Sequence, residues 1–127
     1  MNKVVHFEIP FDDKERAAKF YKEVFGWDIQ DMPDMNYVVA RSCEIDDEYM
    51  PKEKGAINGG MYKRDEASSP NPVIVIDVPS IDEHIVKITQ AGGGVVKEKV
   101  EIGGMGFYAQ VKDSEGNIIG IWEALQK

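Results

Sequence analysis

Two side chains with acid–base chemistry, His6 and Glu8, stand two positions apart near the start of the chain, within the run Val4–Phe11. Alternation along a strand places both on one face, where an imidazole and a carboxylate could exchange a proton or contact a ligand. The alternative is a structural histidine, partly buried and hydrogen-bonded to a neighbour such as Glu8. The other histidine, His84, falls on a predicted helix and is expected at its surface or boundary.

Other kinds of active site have little support in the sequence. Cys43 is the one cysteine, which excludes an internal disulfide and a cysteine-based zinc cluster. Its apolar-rich surroundings predict a structural thiol in a strand. No Ser-His-Asp or Cys-His set is recognisable. The glycine-rich loop 103–106 lacks the strand-to-helix context of a phosphate-binding loop, so a mobile lid is its alternative role.

The overall charge narrows the range of partners. The 127 residues include 23 acidic and 15 basic side chains, a net charge of −8 that disfavours binding to nucleic acid or an anionic membrane. No apolar run approaches the roughly 20 residues needed to span a bilayer. The first residues do not resemble a signal peptide, so a soluble, cytoplasmic protein is expected.

Two similar halves are predicted from the hydrophobic pattern, and each reads strand–helix–strand–strand–strand. The first helix begins after Asp12 and Asp13 and ends at Gly26; the second begins with a capping box at Ser80 and ends in a glycine run. The predicted strands are 4–11, 27–30, 36–43 and 56–62, then 72–78, 95–101, 106–111 and 117–123. The predicted division is a first module at 1–64, a linker at 65–71 and a second module at 72–127.

The two halves can be superposed in sequence. An offset of 67 residues places Phe7 on Ile74 and Asp13 on Ser80, and an offset of 60 at the ends places Gly60 on Gly120. A half of roughly 60 residues buries too little apolar surface to be stable alone. Its helix covers one face of its sheet, so the other half or another subunit must cover the opposite face. An α+β fold enclosing a small-molecule cavity is therefore expected.

Several motifs resemble the glyoxalase I / bleomycin-resistance protein / extradiol dioxygenase superfamily, also called the vicinal oxygen chelate superfamily. The resemblance covers nearly the whole chain. Its most specific part is the run 20–27, Phe-Tyr-Lys-Glu-Val-Phe-Gly-Trp, followed by the turn 113–117, Asp-Ser-Glu-Gly-Asn. The resemblance implies two βαβββ modules that form a sheet-lined cavity, and it implies a homodimer.

Enzymes of that superfamily usually hold a divalent metal through four strand positions, which fall here at His6, Gly60, Val73 and Gly120. Only His6 has a side chain that could bind a metal, whereas protein sites normally supply three or four ligands. The sequence therefore predicts that no cofactor is bound. The alternative is a divalent metal with displaced ligands, drawn from Glu8, Asp77, Glu101 and Glu123.

Five residues besides His6 are predicted to contact a ligand: Asn58, Gly60, Tyr62, Gly120 and Trp122. The two glycines either leave space for the ligand or let the two halves press together. Tyr62 and Trp122 either clamp a flat or aliphatic ligand or fill the cavity as core. The preferred hypothesis is a metal-free binding protein for a small apolar or aromatic molecule. The alternatives are a lyase- or isomerase-type enzyme using His6 and Glu8, a metal enzyme and an oligomerisation module.

Overall fold

The computed structural model describes residues 1–125 and has a mixed α+β fold with eight strands and two α-helices, as the sequence predicted. Each half has the predicted order of strand, helix and three strands. The elements in chain order are β1 (Val4–Phe11), α1 (Lys14–Phe25), β2 (Asp28–Met32), β3 (Tyr37–Arg41), β4 (Gly59–Lys63), β5 (Val73–Asp77), α2 (Ile81–Gln90), β6 (Gly94–Ile102), β7 (Gly106–Lys112) and β8 (Ile118–Ala124). A short 3₁₀ turn, Pro33–Met35, separates β2 from β3.

The chain divides into two compact units, of which the first is His6–Pro72. Its sheet has the order β2-β3-β4-β1. Strand β1 runs parallel to β4, with Glu8 opposite Gly60, and β3 runs antiparallel to β4, with Val39 opposite Gly60. Gly60 is therefore the central residue of a three-strand row.

The second unit consists of Met1–Val5 and the chain from Val73 onward, and its sheet has the order β5-β8-β7-β6. Strand β5 runs parallel to β8, with Val75 opposite Gly120, and β7 runs antiparallel to β8, with Gln110 opposite Gly120. Glu8 and Val75 differ by the predicted 67 residues, and the glycines by the predicted 60. The two ladders thus agree with the superposition of the halves.

Both helices begin at the predicted caps. The Asp13 carboxylate accepts a hydrogen bond from the backbone N–H of Arg16 at 3.0 Å, and the Ser80 hydroxyl oxygen accepts one from Glu83 at 3.2 Å. Helix α1 ends at Gly26, whose φ of 71° lies in the left-handed region that glycine adopts without a Cβ penalty. The polar groups of the sequence therefore fix where each helix starts and stops.

Each helix packs on one face of its own sheet. In the first unit, Val38, Ala40 and Met61 form a buried cluster against which side chains of β1 and α1 pack. In the second unit, the corresponding cluster contains Ala109, Val111 and Ile121 together with Ile81 of α2. Because strand side chains alternate, the intervening residues lie on the opposite side of each sheet, here called the helix-free face.

Two local expectations need comment. Cys43 was expected in a strand, but β3 ends at Arg41 and Cys43 lies in the following loop, where its thiol donates to the Glu44 carbonyl at 3.1 Å. The segment 65–71 is an ordered turn in which Ser68 and Ser69 are buried. Within the described residues, no helix is long and apolar enough to cross a membrane.

Candidate ligand-binding site

A polar cluster lies on the helix-free face of the first unit and is organised by the hydroxyl of Tyr37. This hydroxyl is 2.9 Å from Nε2 of His6 and donates to Oε2 of Glu8 at 3.3 Å. Because Tyr37 donates its proton to the carboxylate, its oxygen is left to accept from an Nε2–H of His6. His6 and Glu8 are thus linked through the hydroxyl of Tyr37.

Gly60 makes this linkage possible. Tyr37 belongs to β3, whereas His6 and Glu8 belong to β1, and β4 lies between those strands. The Tyr37 ring crosses β4 at Gly60, and a Cβ added there would overlap the hydroxyl and ring of Tyr37. The space directly above Gly60 is therefore taken by the tyrosine of the neighbouring strand.

Burial controls the charge of the cluster. Desolvation lowers the pKa of His6 from 6.5 to about 4, so its imidazole is neutral at neutral pH. Glu8 is itself buried, with 8% of its surface exposed. A neutral imidazole and a desolvated carboxylate, joined by a hydroxyl, can accept or pass on a proton or hold a polar group.

Tyr62 lies on the same face, two residues beyond Gly60. Its hydroxyl donates to the carbonyl of Ser69 at 3.3 Å, which ties β4 to the segment 65–71. Burial raises the pKa of the Tyr62 phenol, and the nearby charge of Glu8 raises it further. Tyr62 therefore stays protonated at neutral pH.

Asn58 precedes β4 and holds the loop that follows β3. Its Oδ1 accepts hydrogen bonds from the backbone N–H groups of Ser42 at 2.8 Å and Cys43 at 3.1 Å. Among the described residues its Nδ2 has no acceptor, although that atom is buried. A buried donor without a partner is costly, so this amide lowers the stability of the loop it holds.

The equivalent face of the second unit has the same arrangement of glycine and tyrosine but lacks the acid–base groups. A Cβ at Gly120 would lie 2.9 Å from the hydroxyl of Tyr108 and 3.0 Å from Val75. Val73 and Val75 occupy the positions of His6 and Glu8, and each is 1% exposed. The Tyr108 hydroxyl accepts from Nε2 of Gln110 at 2.9 Å. The face is thus largely apolar.

Trp122, the counterpart of Tyr62, packs against the start of β7. A Cβ at Gly106 would come within 2.6 Å of its six-membered ring. Trp122 is half-buried, as is Tyr62. The predicted correspondence of Tyr62 with Trp122 therefore holds in position, while their contacts differ.

The residues at the superfamily's metal positions do not fit a metal. Val73 has no donor atom, and tyrosines fill the space above Gly60 and Gly120. Within the part of the chain that the structure describes, no three His, Cys, Asp or Glu side chains form a group that could hold a metal ion. Glu123, one of the displaced candidates, accepts from the N–H of Ile81 at 2.8 Å and so anchors helix α2.

Sequence reasoning did not select Tyr37 or Tyr108, the two tyrosines that lie above the glycines. Each stands two residues before the residue paired with the glycine, since Val39 pairs with Gly60 and Gln110 pairs with Gly120. The two tyrosines are 71 residues apart, and each lies in the third strand of its half. The offsets of 60 and 67 do not align these two strands with each other. Aligning them in sequence was the signal that could have found the two tyrosines.

Sequence comparisons identify proteins similar to this chain. Residues 3–41 match the family described as bleomycin resistance protein-like N-terminal. A putative glyoxylase, CFP32, of Mycobacterium tuberculosis is 26% identical over 117 residues, covering 88% of this chain. The chain spans 42% of the length of that relative. A glyoxylase-like domain-containing protein of Didymella fabae is 29% identical, covering 87% of this chain and 84% of its own length.

Solved structures share the fold. A hypothetical protein, BH1468, of Bacillus halodurans superposes with a TM-score of 0.65 at 18% identity, covering 99% of this chain and 96% of its own. Methylmalonyl-CoA epimerase of Mycobacterium tuberculosis gives 0.59 at 16% identity, covering 94% and 86%. A glyoxalase/bleomycin resistance protein/dioxygenase superfamily member of Vibrio splendidus gives 0.62 at 13%, covering 98% and 100%.

The fold is therefore that of the glyoxalase/bleomycin-resistance/dioxygenase superfamily, and the resemblance found in the sequence is confirmed. The sequence matches are to bleomycin-resistance-like and glyoxylase-like proteins.

Proposed function

We propose that the chain binds a small, mainly apolar or aromatic molecule, whose polar group meets the cluster of His6, Tyr37 and Glu8. One observation carries this proposal. The same ladder in the second unit has Val73 and Val75 at the positions of His6 and Glu8, so the fold itself needs no polar groups there. Buried polar groups that the architecture does not require are candidates for function, because their desolvation is otherwise only a cost.

The proposed site is metal-free. Tyr62 supplies an aromatic wall, Asn58 holds the adjoining loop through Ser42 and Cys43, and Gly60 keeps room for Tyr37. A cofactor-free site suits binding for sequestration or sensing.

A fragment screen on the ¹⁵N-labelled full chain tests ligand binding. Small aromatic amides and acids are expected to shift the resonances of His6, Tyr37 and Tyr62. The variant His6→Gln should weaken binding, whereas His84→Gln should not, because His84 only contacts the Ser80 carbonyl of its own helix cap. Shifts confined to helix α1, or equal effects of the two variants, would place binding elsewhere.

Paramagnetic Mn²⁺ tests the metal-free part of the proposal. Broadening of surface carboxylates only is expected, with no saturable broadening at His6 and Glu8. One equivalent of tightly held metal near His6 would contradict it.

A second candidate is an isomerase-type enzyme, favoured by the desolvated Glu8 carboxylate beside a neutral imidazole. Glu8 would take a proton from a carbon next to a carbonyl, and Tyr37 would hold the carboxylate in place. Methylmalonyl-CoA, the ligand of one structural neighbour, is the first substrate to try. Incubation in D₂O should exchange that C–H with the wild type and not with Glu8→Gln; absence of exchange in both would remove this candidate.

We also propose a cytoplasmic homodimer. Phe20, Val24 and Phe25 of α1 are 51%, 56% and 58% exposed, which is a large apolar surface for one chain to leave uncovered. Sedimentation velocity should show a dimer in the wild type and a larger monomer fraction in Phe20→Ser/Phe25→Ser. A monomeric wild type would exclude this part of the proposal.

A further inference from the structure

We propose that the polar group of the ligand is a hydrogen-bond donor, an N–H or O–H that is accepted by Nδ1 of His6. This inference deepens the proposed function and rests on it, since it states which polar groups the cluster of His6, Tyr37 and Glu8 can bind. A ligand of the same shape that carries only acceptors should bind more weakly.

The hydrogen bonds of the cluster run in one direction. The Glu8 carboxylate can only accept, and its Oε2 lies 3.3 Å from the hydroxyl of Tyr37. If the Tyr37 proton pointed to His6 instead, two oxygens would face each other through their lone pairs, which costs free energy. The Tyr37 proton therefore goes to Glu8, and the 2.9 Å contact with His6 requires a proton on Nε2.

This network leaves Nδ1 of His6 as an acceptor. Burial lowers the pKa of His6 to about 4, so at neutral pH the imidazole carries a single ring proton, the one on Nε2. Among the described residues Nδ1 has no hydrogen-bond donor.

The same nitrogen is accessible. In the described part of the chain, the buried side-chain atoms that lack a partner are Nδ2 of Asn58, Nε of Arg64 and Oε1 of Gln110. Nδ1 of His6 is not one of them, although the residue is half-buried. An unpaired nitrogen that is not buried still reaches solvent, so a ligand can reach it as well.

Other protons on this face are already used or lie farther away. The hydroxyl of Tyr62 donates to the Ser69 carbonyl at 3.3 Å. Arg41 follows Tyr37 along β3 by four residues, roughly 13 Å of strand, and Asp28 is its cross-strand partner. Within the described residues, the protons of the cluster and of Tyr62 thus point to protein acceptors, and the ligand must bring its own donor.

Charge favours the same kind of ligand. Glu8 is only 8% exposed, and an anionic ligand group would place a second negative charge near its desolvated carboxylate. The net charge of −8 acts in the same direction over a longer range. Neutral or cationic donors on an aromatic body, such as indole, amide or amine N–H groups, are therefore the chemical class that this site takes.

Indole and benzofuran test this choice, because the two molecules share one shape and differ in an N–H against a ring oxygen. Titration of the ¹⁵N-labelled full chain measures both affinities. Indole should bind about tenfold more tightly, since benzofuran loses one hydrogen bond and leaves the acceptor of His6 unpaired. Equal affinities would overturn the inference.

Two variants locate the selectivity. In His6→Gln the side-chain amide can still donate to Tyr37, but no atom replaces Nδ1, so the preference for indole over benzofuran should be lost. His84→Gln is the matched control and should keep that preference, because Nδ1 of His84 contacts the Ser80 carbonyl of its own helix cap. A preference that survives in His6→Gln would show that another group accepts the donor.

The ring nitrogens of His6 give a check that needs no variant. Long-range ¹H–¹⁵N spectra of the free chain at neutral pH should show a proton on Nε2 and none on Nδ1. Indole should then shift the Nδ1 resonance. A proton on Nδ1 in the free chain would contradict the direction of the network and overturn the inference.

These outcomes separate the inference from the proposed function. If indole and benzofuran both bind at His6 with equal affinity, the proposed function stands and the donor requirement is wrong. If neither molecule binds near His6, the proposed function itself fails, and the inference fails with it.

Discussion

On the helix-free face of the first unit, the side chains of His6 and Glu8 contact the hydroxyl of Tyr37, whose ring crosses Gly60. On the same face of the second unit, Val73 and Val75 stand at those positions, and Tyr108 meets Gln110 instead. The glycine and the crossing tyrosine are common to both units. The shared glycine and tyrosine therefore belong to the architecture of the fold. The acid–base pair of His6 and Glu8 occurs in the first unit alone, which makes it the candidate for function.

Placing a carboxylate on the apolar face should have the largest effect. Val75 is 1% exposed, so Val75→Glu should lower the free energy of unfolding by about 3–5 kcal/mol, the cost of a buried charge without a partner. Ile74→Glu on the same strand is the control, because Ile74 is 48% exposed. Urea unfolding measures both variants. If Val75→Glu lowers the free energy of unfolding no more than Ile74→Glu does, this face accommodates a carboxylate as the face of the first unit does.

Filling the two glycines should give unequal, smaller effects. Gly60→Ala displaces the Tyr37 hydroxyl from His6 and Glu8, so a loss of about 2–3 kcal/mol is expected from overpacking and broken hydrogen bonds. Gly120→Ala meets Tyr108 at 2.9 Å and should cost about 1 kcal/mol. Gly94→Ala, with nothing within 4 Å, should be neutral. If Gly120→Ala lowers the free energy of unfolding as much as Gly60→Ala does, the two glycine positions do not differ in how tightly their tyrosines pack.

The buried His6 should make the free energy of unfolding depend on pH. Val73, which occupies the equivalent position in the second unit, cannot do so because it has no ionisable group. Its pKa is about 4 when folded and 6.5 when unfolded, so below pH 6.5 the unfolded chain binds the proton first. Stability should therefore fall as the pH falls from 6.5 towards 4, by about 3 kcal/mol in total. His6→Val, which copies Val73, should remove this component. An identical pH profile in wild type and variant would refute the buried, neutral imidazole.

The smallest effect should be the coupling between Tyr37 and His6. A double-mutant cycle with Tyr37→Phe and His6→Val is expected to give an interaction free energy of about 1 kcal/mol, the net value of one hydrogen bond. Tyr108→Phe alone should cost a similar amount through Gln110. A coupling of zero would mean that Tyr37 merely fills the space above Gly60.

Local signals allowed much of the fold to be predicted. Asp13, Gly26 and Ser80 marked the helix ends because capping depends on neighbouring residues alone. Cys43 was misplaced since the end of β3 depends on the side chain of Asn58, 15 residues away, which binds the loop backbone. Only part of the candidate site was predicted from the sequence. His6 and Glu8 were chosen by residue type, whereas Tyr37 was missed because its contact crosses an intervening strand.

The sequence by itself determined two βαβββ halves, their offset, and the scarcity of metal-binding side chains at the superfamily's positions, because periodicity, caps and residue types are local properties. Only the tertiary structure decided what occupies the space above Gly60 and Gly120. Strands distant in sequence lie beside each other there, and a tyrosine from one reaches across the glycine of the next. That contact links His6 and Glu8 into one polar cluster, whereas in the second unit valines stand at their positions and Tyr108 bonds Gln110 instead.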